Sequence, residues 1–175
     1  MLCVPFQTDL VGAVPSHIKK SLIGAVKSVN EDVFFEGSRE HPRKNEICEV
    51  DDGISEFLSR IWEVERNYRP FEEADFNVDI ACPEHKVLIE IEKGTSPRLE
   101  LDILKVASAC LQFPEKWRYA ALVVPTTHIK LRLAGRSAPA EYLERLKPVV
   151  RPVLEACKVC GFVLIGYEDP RPERR

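Results

Sequence analysis

Long apolar runs are missing from this sequence. No window approaches the roughly 20 apolar residues that a membrane-spanning helix needs, so no membrane partner is expected. The opening residues, MLCVPFQTDLVGAVP, lack a cationic stretch leading into an apolar segment, and a soluble, cytoplasmic protein is the expectation. Also absent are a Walker-type glycine-rich phosphate loop, a G-x-S-x-G turn for a serine nucleophile and an H-E-x-x-H helix for zinc, three signatures that would each have pointed to a definite chemistry. The four histidines, His17, His41, His85 and His128, share no common spacing, which argues against a histidine-built metal centre. There is no internal repeat and no low-complexity tract. Glutamine and asparagine are scarce, at two and four residues beside 13 prolines and 30% charged residues, a balance that leans toward a heat-adapted source.

What is present fits one globular domain spanning 1–175. The chain has 175 residues and 45% apolar content, enough for a sizeable core at ordinary domain size. A net charge of −3 gives no global pull toward nucleic acid, so a polyanion would have to meet local basic patches or metal ions. Six cysteines, Cys3, Cys48, Cys82, Cys110, Cys157 and Cys160, lie in apolar segments, and buried thiols are expected rather than a disulfide framework. Cys157 and Cys160 form a lone C-x-x-C; without a second pair, packing of a helix face is the better reading than zinc.

Periodicity sets out the elements. PSHIKKSLIGAVKSV, 15–29, reads as an amphipathic helix with Pro15 near its start. DVFFEG follows as a short strand, and SREHPRKNE as a charged surface loop. DDGISEFLSRIWEVERNYRP, with an Asp cap at residue 51 or 52, reads as a helix that ends before Pro70 and carries Glu65 on its apolar stripe. After a hairpin, Ser96 caps a helix with Pro97 in its first position, and RYAALVVP, 118–125, has the continuous apolar character of a central strand covered on both faces. A long helix from about Pro139 to Cys160, kinked or broken by Pro148 and Pro152, ends at Gly161. FVLIGY is a last strand before a frayed tail from residue 168. The order predicts an α/β or α+β fold with a mixed sheet.

The hairpin FNVDIACPEHKVLIEIEKG, Phe76 to Gly94, holds acids where a sheet builds its core. With the turn centred between Glu84 and His85, opposed residues sum to 169, so Ile80 faces Ile89 and Val78 faces Ile91 on one apolar side. The other side carries Asp79 opposite Glu90 and Asn77 opposite Glu92, beside Leu88 and Ala81. Opposed side chains sit about 5 Å apart at Cβ, and like charges there repel unless a cation lies between them. A hard cation such as Mg²⁺ (Mn²⁺ substituting) takes carboxylate oxygens. Asp79, Glu90 and the carbonyl of Ile91 are its expected ligands, with Glu92 placed to orient or deprotonate water. The competing reading is a solvated acidic face.

An acid on one hairpin strand, followed about ten residues later by E-x-E on the next strand and then a helix, resembles the PD-(D/E)XK nuclease superfamily. The resemblance rests on VDIACPEHKVLIEIEKG, with a core of about 51–125. Asp79 matches the first metal-binding acid and Glu90 the second. Glu92 stands where lysine is usual, which is similar to the BamHI/BglII type of restriction endonucleases. It implies a restriction-endonuclease-like mixed β-sheet with helices on both faces, Mg²⁺-dependent hydrolysis of DNA phosphodiesters, and a homodimer for cutting two strands. Glu65 falls where many members carry an additional helix acid. Lys93 is turned by parity to the other side and contributes charge at the strand end, and Lys105 on the following helix is a second stand-in for the usual lysine, expected to be solvated. Arg39, Arg43 and Lys44, and Lys130, Arg132 and Arg136, are candidate backbone contacts. The rival functions are a catalytically silent module of the same fold that binds DNA or protein, and a small-molecule metallohydrolase.

Overall fold

The computed structural model describes residues 1–30, 46–74, 76–92, 99–126 and 140–170. In chain order the elements are β1 (Cys3–Gly12), α1 (Ser16–Ser28), α2 (Glu46–Ser59), β2 (Glu65–Tyr68), β3 (Val78–Cys82), β4 (Val87–Ile91), α3 (Leu99–Gln112), β5 (Tyr119–Pro125), α4 (Ala140–Ala156) and β6 (Gly161–Glu168). The strand proposed at DVFFEG and the caps at Ser96 and Pro97 lie outside the described residues.

The six strands form one sheet in the order β1-β6-β5-β4-β3-β2. β4, β5 and β6 are parallel neighbours, while β1, β3 and β2 pair antiparallel. The sheet is therefore mixed. Parallel neighbours need crossovers, and α3 and α4 supply them, packing into one apolar layer with Leu88, Leu122 and Leu164 of the sheet. α1 and α2 cover the opposite face, against Ile80, Ile89, Val123 and Ile165. Sandwiched between the two layers, β5 is almost wholly buried, as its unbroken apolar run requires.

Several local expectations are corrected. Residues 3–12, given no element from sequence, form an edge strand. Its pairing with β6 shifts between Cys3 and Phe6, around Pro5, which has no N–H to give to a ladder. The helix over 51–70 stops at Ser59, and Glu65–Tyr68 become the outermost strand against β3; tertiary pairing outweighs a periodic pattern in a segment that also contains β-favouring Val64 and Tyr68. α4 runs through Pro148 and Pro152 without a break. Both prolines are exposed and four residues apart, so the carbonyls they leave unbonded face water. The helix ends at Ala156 rather than Cys160, with Lys158 in the left-handed region (φ 60°) and the Val159 N–H bonded to the Leu154 carbonyl, a left-handed stop of the kind that ends many helices. Gly161 serves another end: a Cβ there would lie 2.6 Å from the Ala13 carbonyl carbon, so glycine is what lets β1 close on β6. β6 also continues through Glu168, where the tail was expected.

Candidate active site

The hairpin keeps the register deduced from parity: Ile80 opposes Ile89, Ala81 opposes Leu88 and Cys82 opposes Val87. A single 3₁₀ turn, Pro83–His85, closes it, with Lys86 at φ 54° donating its N–H to the Pro83 carbonyl. Beyond Ile80 the ribbon departs from strict alternation. Val78 packs with Ala81 and Leu88 instead of with Ile80, which corrects its expected place opposite Ile91 on the other face. The cause lies in two neighbours. Asn67, across from this point in β2, is left-handed (φ 51°), the kind of irregularity that raises local twist. In addition, the Ile91 N–H donates to Asp79 Oδ2 at 2.7 Å, so a side chain occupies the position of the next backbone partner. Asp79 is half-buried and tethered to the end of β4.

Glu90 shares the parity of Leu88 and so points toward α3. It is 2% exposed. There it meets Lys105, buried at 7%, whose Nζ lies 2.5 Å from Glu90 Oε1 and 2.9 Å from Asp102 Oδ1. The same ammonium donates to the Asn77 carbonyl at 2.9 Å. Lys105 was expected to be solvated; instead its ammonium is buried among two carboxylates and a backbone carbonyl. Asp102 lies one turn earlier on α3, so the i, i+3 spacing puts both groups on the face turned to the sheet.

Charge is held against the normal balance here. Burial, and then the nearby charge of Asp79, push the Glu90 carboxyl up to about 9; Lys105 opposes this shift and Asp102 adds to it. Burial alone would favour neutral Lys105, but Glu90 and Asp102 outweigh it and hold the amine above its ordinary range. A proton or a cation is therefore needed between the carboxylates at neutral pH.

Glu92 follows the end of β4 and is also buried. Its N–H donates to the Val123 carbonyl at 2.8 Å, and its own carbonyl accepts from Tyr167 Oη at 3.2 Å. Burial first, then the charges of Asp51 and Glu92, hold the Tyr167 hydroxyl well above the usual phenol range. Asp51, where the sequence placed the start of a helix that in fact begins at Glu46, is thus an acid near the end of β4. Glu65 is not a helix acid: it sits exposed on β2, paired with Ala81. Lys93 and the basic residues Arg39, Arg43, Lys44, Lys130, Arg132 and Arg136 lie outside the described residues.

Among the described residues no group of three or more histidine, cysteine, aspartate or glutamate side chains is arranged to hold a metal. What the site offers is a pair, Asp79 and Glu90, held near each other against their mutual repulsion. One or two carboxylates, completed by water and substrate phosphate, are the usual protein share of a Mg²⁺ site. The donor chemistry fits a hard divalent ion, provided that Lys105 yields its place on Glu90. The C-x-x-C makes no such centre: Cys157 packs against the α3–α4 layer while Cys160 is exposed.

No family model and no curated protein matches the sequence. Among solved structures, the chain is similar to restriction endonuclease BglII crystallised with a DNA 16-mer, at 10% identity and a TM-score of 0.50, over 99% of this chain and 80% of that one. The fold is restriction-endonuclease-like. At that identity the likeness concerns the path of the chain and not its chemistry. Among the described residues no helix is long and apolar enough to cross a membrane.

Proposed function

We propose that this protein is a metal-dependent endodeoxyribonuclease that hydrolyses DNA phosphodiesters. The observation that carries the reading is the Asp79–Glu90 pair, drawn together at the junction of β3 and β4 against a buried lysine. Asp79, Glu90 and the Ile91 carbonyl are the groups that would hold Mg²⁺, with Mn²⁺ as a substitute, and the ion supplies a Lewis acid beside the scissile phosphate. The chain's own residues do the rest. Asp79 is oriented by the Ile91 N–H. Lys105, on yielding its place on Glu90, presents its positive charge where negative charge builds on the phosphate. Glu92 receives the proton of the attacking water; one P–O bond forms as the other breaks, releasing a hydroxyl end and a phosphate end. Lys93 and Glu65 add charge at the margins of the site, and the basic clusters at Arg39, Arg43 and Lys44 and at Lys130, Arg132 and Arg136 hold the DNA backbone.

A homodimer belongs to the same reading, since one site cuts one strand. Leu101, Leu104 and Leu111 on α3, and Tyr142, Val149 and Val153 on α4, are exposed large hydrophobics at helical spacing on one layer of the molecule. Such a surface is what an isologous contact requires.

The test is paired. Mn²⁺ binding and plasmid cleavage are both expected in the wild type, and both are expected to fall in Asp79→Asn. Cleavage that persists undiminished in that variant overturns the assignment. The second reading, a silent DNA- or protein-binding module, is favoured by one observation: Lys105 already occupies the position beside Glu90 Oε1 that an ion would take. Absence of Mn²⁺ binding together with retained DNA binding would select it.

A further inference from the structure

Next to the carboxylate pair, where β2 runs into β3 and α3 ends, the surface opens into a cleft of about 720 Å³. Its apolar wall is aromatic. Phe71 and Phe113 are half-buried, with ring centroids 6.2 Å apart and a 37° tilt, and Phe71 also meets Phe76 edge-on at 5.9 Å. Tyr68 is held rigidly beside them: its ring stands edge-on to Trp117 at 5.1 Å, with the Lys116 ammonium 4.7 Å above the ring and 3.0 Å from its hydroxyl. The rim carries Arg69 and Lys116 together with Glu72 and Glu73, all exposed.

The composition selects the occupant. A groove that tracks a phosphate backbone is uniformly positive, whereas this rim is balanced, two cations against two carboxylates. Phosphate gains nothing here. A nucleobase gains on both counts: aromatic faces stack on any base, and carboxylates accept hydrogen bonds from the exocyclic amines of cytosine or adenine. Cation-capped Tyr68 stiffens the wall and keeps the stacking surface preorganised.

Position joins the cleft to the site. Asn77 bridges them, its carbonyl accepting from Lys105 and its side-chain oxygen accepting from Arg69 Nε at 3.1 Å. Along α3, Lys105 and the cleft residue Gln112 are seven residues apart, about 10 Å at 1.5 Å per residue, or roughly three stacked nucleotides at 3.4 Å each. A base within the duplex keeps both faces stacked on its neighbours and cannot enter.

We infer that the cleft lined by Tyr68, Phe71 and Phe113 binds an unpaired base a few nucleotides from the scissile phosphate, so that the protein selects DNA with a single-stranded branch, end or extruded base over intact duplex. This inference rests on the nuclease reading for the position of the phosphate, and not for the binding itself.

Fluorescence anisotropy in EDTA tests it, with labelled single strands, branched duplexes and blunt duplexes as probes. Single-stranded and branched DNA are expected to bind at least about tenfold more tightly than blunt duplex, and Phe71→Ala or Phe113→Ala to remove roughly tenfold of that preference, the size of one lost base–aromatic stack. Because those substitutions thin a packed wall, the exposed Glu72→Gln serves beside them; it should reduce the preference for cytosine or adenine over thymine in the branch. Equal affinity for branched and blunt DNA overturns the inference, as does a preference that none of the three variants changes, or a cleft that binds an aromatic peptide and not DNA. Cleavage of intact duplex without branch preference would remove this inference and leave the nuclease reading. Tight branch binding without any cleavage would do the reverse.

Discussion

Lys105 meets Glu90, Asp102 and the Asn77 carbonyl at once, and the consequences can be measured one residue at a time. Lys105→Met leaves the buried Asp102 carboxylate without its cation, an arrangement that typically costs about 3–5 kcal/mol; urea denaturation should show most of that loss, and Asp102→Asn added to it should recover part. The wild-type pH profile follows from Glu90. Its carboxyl is raised from 4.5 to about 9 in the folded protein, so between those values the native state keeps a proton that the unfolded chain has released. Stability from this group is present below 4.5 and declines as pH rises toward 9. Lys105, raised above 10.5, titrates outside that window. Glu90→Gln should therefore gain on the wild type as the pH of the denaturation series increases, and parallel curves would count against the assignment. Metal binding has the opposite slope: the Glu90 proton must leave, so Mn²⁺ affinity should rise up to about tenfold per pH unit below 9, with protons released on calorimetric titration. Beyond Ile80 alternation breaks, but along β4 strand parity holds, so the side on which Glu90 lies was legible from sequence. Lys105 was not, because the period of a helix says which residues share a face and not which face meets a carboxylate.

The elements around the site depend on a few backbone positions. Lys86 turns the β3–β4 hairpin at φ 54°, and its carbonyl accepts the N–H groups of both Arg118 and Tyr119, so the turn also anchors the start of β5. Lys86→Gly should stabilise by about 0.5–1 kcal/mol, since glycine adopts that region without a Cβ clash, whereas a β-branched Lys86→Val should cost about 1–2 kcal/mol; thermal melting of the two variants checks both signs. Gly161→Ala should be more damaging than either, because its Cβ would meet the Ala13–Val14 backbone at 2.6–2.8 Å and force β1 off the sheet. Hairpin, central strand and crossover helices were readable because each has its own apolar period. β1 and β2 were not. Both are edge strands with polar or irregular patterns, and what makes them strands is the hydrogen-bonding edge offered by β6 and β3.

For the whole molecule the expected state is a dimer of about twice 19.9 kDa, measured by light scattering. Leu104 is 58% exposed and Val149 70%, so Leu104→Glu with Val149→Glu should return the protein to monomer without removing Mn²⁺ binding; a wild type that is already monomeric at working concentration removes the dimer. The sequence by itself determined the hairpin register over Ile80–Cys82 and a mixed sheet with a buried central strand, because strand parity and apolar period are local properties. Only the tertiary structure decided that Lys105 and Asp102 close on Glu90, that Asp51 and Glu92 both lie near Tyr167, and that Glu65 sits on an exposed edge. Those contacts join segments tens of residues apart, and their partners are set by how the helices lie across the sheet, a geometry no local pattern encodes.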